Sequence, residues 1–294
     1  MADNAAASHV RPSTIQRLSA FVRLLHPFPS LLNAVVVAAL ACVAVRGWPG
    51  FGRILWLAVT MLCIQFSIGA LNDWADRDLD ARSKPAKPIA SGLVSSGMAL
   101  TVAILLALSA AVLAAWGGPA AWLLAMVGLG IGMAYDLGLK RTPFSALTYA
   151  LALPLIPLWV WTALGVENGA LFVVLPLGMV LGISLQLANA LPDAEGDTAA
   201  GVRGTLQLLG PERGRRLCWL GFALALLLCA VFAPVVGLTL MPFALCWAAA
   251  AILLAIAIAC FQRNPSRRAL QQGWSLLAPA AGLLAIGWLV SLPA

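Results

Sequence analysis

Long apolar runs separated by short polar stretches set the pattern of this chain of 294 residues. The runs fall near 28–45, 53–72, 97–115, 119–136, 143–165, 169–191, 216–236, 239–261 and 273–292. Each approaches the roughly 20 residues that an α-helix needs to cross the hydrocarbon core of a bilayer. The pattern predicts an all-α membrane protein, a bundle of nine transmembrane helices. Helix-breaking residues punctuate it at Arg46-Gly47-Trp48-Pro49-Gly50, at Gly117-Gly118-Pro119 and at Pro265. Residues 1–27 read as a cytoplasmic N-terminal arm and 28–294 as a single membrane domain. The arm is polar and basic and ends in prolines. It lacks the basic, apolar and small-residue order of a cleaved signal, so it is expected to be retained.

Composition agrees with this division. The chain is 62% hydrophobic and 10% charged, with a mean hydropathy of +0.95, too apolar for a soluble domain of this length. The six cysteines lie within or beside apolar runs and form no C-x-x-C pair, which argues against zinc and disulfide frameworks. The net charge of +7 raises the question of nucleic acid, and the positions of the charges answer it. With the N-terminus cytoplasmic, the cytoplasmic segments hold Arg11, Arg17, Arg23, Arg77, Arg82, Lys84, Lys87, Lys140, Arg141, Arg203, Arg213, Arg215, Arg216, Arg263, Arg267 and Arg268. Only Arg46 and Arg53 fall on the other side, so 16 of the 18 basic residues sit on one side. That bias is the topology signal of a membrane protein and leaves a nucleic-acid role nothing to explain.

Seven of the eleven acidic residues gather in two places, Asp73, Asp76, Asp78 and Asp80, then Asp193, Glu195 and Asp197. Both groups sit at the cytoplasmic ends of even-numbered spans. At helical spacing Asn72, Asp73, Asp76 and Asp80 share one face, as do Asn189, Asp193 and Asp197, while Asp78 and Glu195 point elsewhere. Pro192 is expected to bend or end the sixth helix. Both stretches, 72–80 and 189–197, read Asn-x-x-x-Asp-x-x-x-Asp, 117 residues apart, as a pseudo-repeat. Carboxylates so spaced repel one another, and no basic run is long enough to neutralise them all, so a bound cation is the expected partner. All-oxygen ligands select hard cations, and magnesium is commonly held by a few carboxylates together with substrate phosphates. Arg77, Lys84, Lys87, Lys140, Arg141 and Arg203 flank the clusters and could hold phosphate oxygens. A diphosphate head on a lipid-soluble body describes a prenyl diphosphate.

The chain resembles the UbiA superfamily of intramembrane prenyltransferases from Arg23 to the last span. Its first motif, N-D-x-x-D-x-x-x-D, is matched by Asn72-Asp73-x-x-Asp76-x-x-x-Asp80, followed by "KPIASG". Its second, D-x-x-x-D, is matched by Asp193-x-x-x-Asp197 within "NALPDAEGDTAAGVRGT". Tyr135, Lys140 and Arg141 match a "Y…LKR" element, and "RLLHPFPSLLN" at 23–33 is similar to the entry into the first helix. The resemblance implies a nine-helix bundle around a central apolar cavity, capped on the cytoplasmic side by the acidic loops. It implies that Asn72, Asp73, Asp76, Asp80, Asp193 and Asp197 bind Mg2+ and diphosphate. It further implies that Arg77, Lys140, Arg23, Asn33 and Arg203 contact phosphate; Asn189 and Arg141 join that set by position.

The implied chemistry is ionisation of an allylic diphosphate and capture of the cation by a lipophilic acceptor, with Asp73, Asp76, Asp193 and Lys140 central. Phe144, Tyr149, Trp159 and Trp161 are candidate neighbours of that cation, though packing or an interfacial belt accounts for them equally well. His26 reads as an interfacial residue. The acceptor is expected to be an aromatic ring of quinone-precursor type, with a tetrapyrrole or a glycerol-phosphate lipid as the alternative. A cation-coupled transporter is the rival of another class; it would carry its carboxylates near span centres rather than at span ends.

Overall fold

Backbone groups in hydrocarbon must be satisfied within their own segment, which makes helices of the apolar runs. The computed structural model describes residues 12–199, 201–263 and 266–293, and no strand occurs among them. Arg11 and Pro265, both used in reading the sequence, lie outside the described residues.

The helices are α1 (Thr14–Leu24), α2 (Pro27–Ala44), α3 (Phe51–Ala75), α4 (Arg77–Ser83), α5 (Ser96–Ala114), α6 (Gly118–Leu137), α7 (Ser145–Ala163), α8 (Val174–Ala190), α9 (Ala194–Ala199), α10 (Thr205–Leu209), α11 (Pro211–Val236), α12 (Leu240–Arg263) and α13 (Arg267–Val290). Among the described residues, seven stretches are long and apolar enough to cross a membrane. One of them, Ser96–Leu137, holds both α5 and α6, and Ser275–Val290 in α13 is a shorter apolar helix. The helix bounds follow the nine apolar runs closely. The largest departures are the sixth run, which opens as a 3-10 turn over Gly169–Val173, and α11 and α13, which begin earlier than their runs.

Consecutive long helices pack side by side, α2 on α3, α6 on α7, α7 on α8 and α12 on α13, and α8 also meets α11 and α13. Small residues set the closest approach. A Cβ at Gly182 on α8 would lie 2.5 Å from the Tyr149 carbonyl oxygen and 2.7 Å from the Ala150 backbone of α7, so only glycine allows these helices to touch. Large apolar side chains such as Leu105, Leu108 and Val112 on α5 and Leu220 and Leu227 on α11 remain exposed on the outside, as suits a lipid-facing surface.

The two ends of the bundle differ. At the end away from the acidic motifs, Arg46 turns through φ 53° and donates from Nη2 to the Leu292 carbonyl at 2.8 Å. The Thr239 amide donates to the Ser291 carbonyl at 2.9 Å. Arg46, an exception to the charge bias, thus caps the Leu292 carbonyl beyond the C-terminal end of α13. At the motif end the polar arm carries α1, started by a capping box in which Ser13 and Gln16 bond each other's backbone. Its Ala20 and Leu24 are buried against Ala70, Leu71, Val94, Ala99 and Ala103.

Candidate functional site

The first acidic motif straddles a kink. The α3 helix ends at Ala75, and Asp76, at φ −92° and ψ 1°, joins it to α4. Hydrogen bonds from Asp76 N to Asn72 O (3.0 Å) and from Asp80 N to Asp76 O (2.8 Å) carry the helical ladder across the join. The side chains then divide between two sides. On one, Asp73 and Asp80, both buried, meet Lys87 Nζ at 2.9 and 2.8 Å. On the other, Asn72 Nδ2 donates to Asp136 Oδ1 at 2.7 Å. There Asp76 accepts from Lys140 Nζ at 2.7 Å and from Arg141 Nη2 at 2.8 Å. Lys140 Nζ also lies 3.6 Å from Asp136 Oδ1. Burial works against the charge of Lys87, but its pairing with Asp80 and Asp73 outweighs this and raises its pKa above the usual lysine value.

No basic run was expected to be long enough to neutralise all the carboxylates; in the first cluster single basic residues from separate segments pair with Asp73, Asp76 and Asp80 instead. Lys87 reaches back from the loop after α4, and Lys140 and Arg141 stand on a 3-10 turn, Leu139–Arg141, after α6. Both pairings depend on tertiary structure and leave no local pattern.

His26 is a correction. Rather than merely marking the interface, its Nε2 lies 3.1 Å from Asp73 Oδ1. The following Pro27 disfavours helical geometry at His26, which adopts φ 48° and ψ 59°, an uncommon conformation for a non-glycine residue. The turn fits over Gly69, where a Cβ would lie 3.1 Å from His26 Cδ2 and 3.3 Å from the Leu25 carbonyl oxygen.

In the second half α8 ends at Ala190, and Pro192 sits in a 3-10 turn over Leu191–Asp193 before α9. That turn breaks the 100° register on which the shared face of Asn189, Asp193 and Asp197 depended. Asn189 is exposed and lies off the pocket wall, whereas Glu195, expected to point elsewhere, lies on it together with Asp193 and Asp197. The loop that follows is fixed by Thr205, whose amide donates to Ser145 Oγ at 3.0 Å and whose hydroxyl donates to the Pro143 carbonyl at 2.7 Å.

Between the halves lies a pocket of about 680 Å³, within the size range of small-ligand sites. Asp76, Asp80, Lys84, Tyr135, Lys140 and Arg141 line it from the first half of the chain, and Asp193, Glu195, Asp197 and Val202 from the second. Asn72 and Asp73 are not on its wall; Asn72 bonds Asp136, which approaches Lys140 of the wall, and Asp73 shares Lys87 with Asp80 of the wall. The remaining candidates are held elsewhere. Arg77 lies 4.8 Å over the Trp74 ring and donates to the Trp74 carbonyl at 2.8 Å. Arg23 Nη1 reaches the Ala86 carbonyl at 3.4 Å, and Asn33 bonds the Pro29 carbonyl within α2 at 3.0 Å. Arg203 is exposed and off the pocket wall. Asp78 is exposed beside Arg77, with its side chain 85% accessible. Trp159 and Trp161 are buried in the main core, Phe144 is exposed, and Tyr149 meets Tyr135 edge-on at 6.1 Å.

Among the described residues no three His, Cys, Asp or Glu side chains converge as a ready metal centre. Acidic side chains from both halves of the chain instead line one pocket together with Lys84, Lys140 and Arg141. All-oxygen donors that leave room for phosphate fit a hard cation bound jointly with an anionic substrate.

A multi-helix apolar bundle capped at one end by an acidic and basic pocket defines the class, an integral multi-pass membrane protein. The sequence profile of the UbiA prenyltransferase family matches residues 32–291, and the chain belongs to that family. It is similar to chlorophyll synthase of Arabidopsis thaliana, 29% identical over 56% of this chain and 46% of the plant protein. The chain thus spans about half the length of the plant relatives it matches. Digeranylgeranylglyceryl phosphate synthase of Pyrococcus abyssi is 27% identical over 67% of this chain and 71% of that one. Further relatives are named 4-hydroxybenzoate octaprenyltransferase, from Vibrio atlanticus, and protoheme IX farnesyltransferase, from Thermus thermophilus. A solved structure of a UbiA homolog from Archaeoglobus fulgidus bound to GPP and Mg2+ shares the fold. Its TM-score is 0.68 at 19% identity, covering 92% of this chain and 99% of that one.

Proposed function

We propose that this protein transfers a prenyl group from a prenyl diphosphate to a lipophilic acceptor within the membrane, and that it requires Mg2+ to do so. The observation that carries the reading is the pocket whose wall takes carboxylates from both halves of the chain, with Lys84, Lys140 and Arg141 among them. Asn72, Asp73, Asp76 and Asp80 from the first motif and Asp193 and Asp197 from the second would hold the metal; Asp73 takes part once Lys87 yields it. Bound Mg2+ would neutralise charge on the departing diphosphate. Lys84, Lys140 and Arg141 hold the phosphate oxygens that remain and stabilise charge growing there. The allylic carbon–oxygen bond breaks, the acceptor forms a bond to that carbon and gives up a proton, and diphosphate leaves. The apolar helices around the prenyl chain exclude water, which would otherwise capture the cation.

The family and the Mg2+- and GPP-bound homologue support this reading of substrate and metal. The charge bias supports an active site on the cytoplasmic side. For the acceptor we favour an aromatic ring of quinone-precursor type, on the sequence around Asp193 and Asp197. The names of the relatives extend over chlorophyll, a glyceryl phosphate lipid, 4-hydroxybenzoate and protoheme IX. Purified protein in nanodiscs, given prenyl diphosphates of several lengths, Mg2+ and acceptors of these kinds, tests it. Prenylated product is expected with the aromatic acceptor. Product with only a tetrapyrrole or a glycerol-phosphate lipid would replace that acceptor, and no product with any of them would reject the enzyme reading.

A further inference from the structure

We propose that Asp136, which belongs to neither acidic motif, is a positioning residue that holds the Asn72 carboxamide with its oxygen toward the metal and its nitrogen away. The inference rests on the metal-dependent reading above. A carboxamide is an ambiguous ligand, because its oxygen binds a hard cation while its NH2 group only donates hydrogen bonds. Half a turn about its last bond exchanges the two without changing the space it fills. For Asn72 to serve as an oxygen ligand, something fixed must take up its nitrogen.

Asp136 meets that need. It stands in the last turn of α6, is 4% exposed, and accepts from Asn72 Nδ2 at 2.7 Å through Oδ1. A carboxylate has no proton to donate, so it can receive only the nitrogen side of the amide. Lys140 Nζ, 3.6 Å away and four residues further on in the chain, supports its negative charge. The same ammonium bonds Asp76 at 2.7 Å, so Asp136 and Asp76 flank one cation beside the pocket. The other carboxylate oxygen, Asp136 Oδ2, is buried without a hydrogen-bond partner. A buried acid left half satisfied is costly, and an apolar side chain would stabilise the helix packing better, so packing alone does not account for it. Groups behind a metal ligand that fix its orientation commonly change metal affinity by about 10–100-fold when removed.

The test uses the full chain in nanodiscs, Mn2+ as a paramagnetic stand-in for Mg2+, and inorganic diphosphate, with free Mn2+ read by electron paramagnetic resonance. Asp136→Asn can offer its own NH2 group to Asn72 and reverse the amide. Mn2+ binding is expected to weaken about tenfold while the metal-free melting temperature stays near that of the parent. In an Asn72→Ala background the same change should have no effect on Mn2+ binding. Asp136→Leu, which removes the acceptor without adding a donor, serves if the first variant does not fold. Parent-like Mn2+ affinity in these variants overturns the inference and leaves the enzyme reading intact, as does an equal loss in the Asn72→Ala background. A parent that binds no Mn2+ with diphosphate overturns both.

Discussion

Lys140→Met removes the ammonium shared by two carboxylates without removing side-chain bulk. The Lys140, Asp76 and Asp136 side chains are 14%, 15% and 3% exposed, so water does little to replace the lost charge. Breaking a buried pair by removing one partner costs about 3–5 kcal/mol. Arg141 remains 2.8 Å from Asp76 Oδ1 and keeps that carboxylate paired. The expected loss is therefore at the low end, about 3 kcal/mol, arising mainly at Asp136. Turnover should fall further than stability alone explains, by about 10²–10³ as for the loss of one electrostatic donor to a leaving group. Mg2+ should still be required, because the carboxylates are intact. Thermal unfolding and steady-state prenyl transfer in nanodiscs measure the two effects. Adding Asp136→Asn should restore much of the stability, since the uncompensated charge is gone, and leave turnover low. A Lys140→Met protein that is as stable as the parent and within about twofold of its rate would refute the reasoning.

Asp76→Ala and Asp193→Ala, one from each half of the pocket, should each abolish nearly all turnover in a protein that still folds, whereas Asp78→Ala, exposed beside Arg77, should be close to the parent; equal damage from all three, measured as kcat, would break the assignment. Gly69→Ala places a methyl 3.1 Å from His26 Cδ2 and should destabilise the protein by about 1–3 kcal/mol, so an unchanged melting curve would mean that the His26 turn is not held there. Single cysteines at positions 86 and 199 should react with membrane-impermeant reagents only from the cytoplasmic face and one at 168 only from the opposite face; reversal of any one means that a span is miscounted.

The helices were legible because each carries its signal within one stretch. The break Gly117-Gly118-Pro119 marks the join of α5 and α6, and Pro192 marks the end of α8. The pairing of charges was not legible, because it joins residues far apart in sequence. Lys87 closes on Asp73 from the loop after α4, Lys140 reaches Asp76 across the gap between α6 and α4, and Asp136 meets Asn72 from 64 residues away. A signal for Asp136 did exist, since a lone aspartate at the end of an apolar span, four residues before a lysine, is costly unless paired. His26 could have been suspected from Pro27, which forces the residue before it out of helical geometry. The second acidic face departs from regular helical spacing at Asn189 and Glu195 because a single 3-10 turn shifts the register.

The central claim is that carboxylates from both halves act on one bound diphosphate through Mg2+. Its most direct measurement is calorimetric binding of a non-reacting prenyl thiodiphosphate to the purified protein, with and without Mg2+, for the parent, Asp76→Asn and Asp193→Asn. The account predicts binding by the parent only when Mg2+ is present, and its loss in each variant. Binding of equal strength without metal, or loss in one variant with full binding in the other, would contradict it.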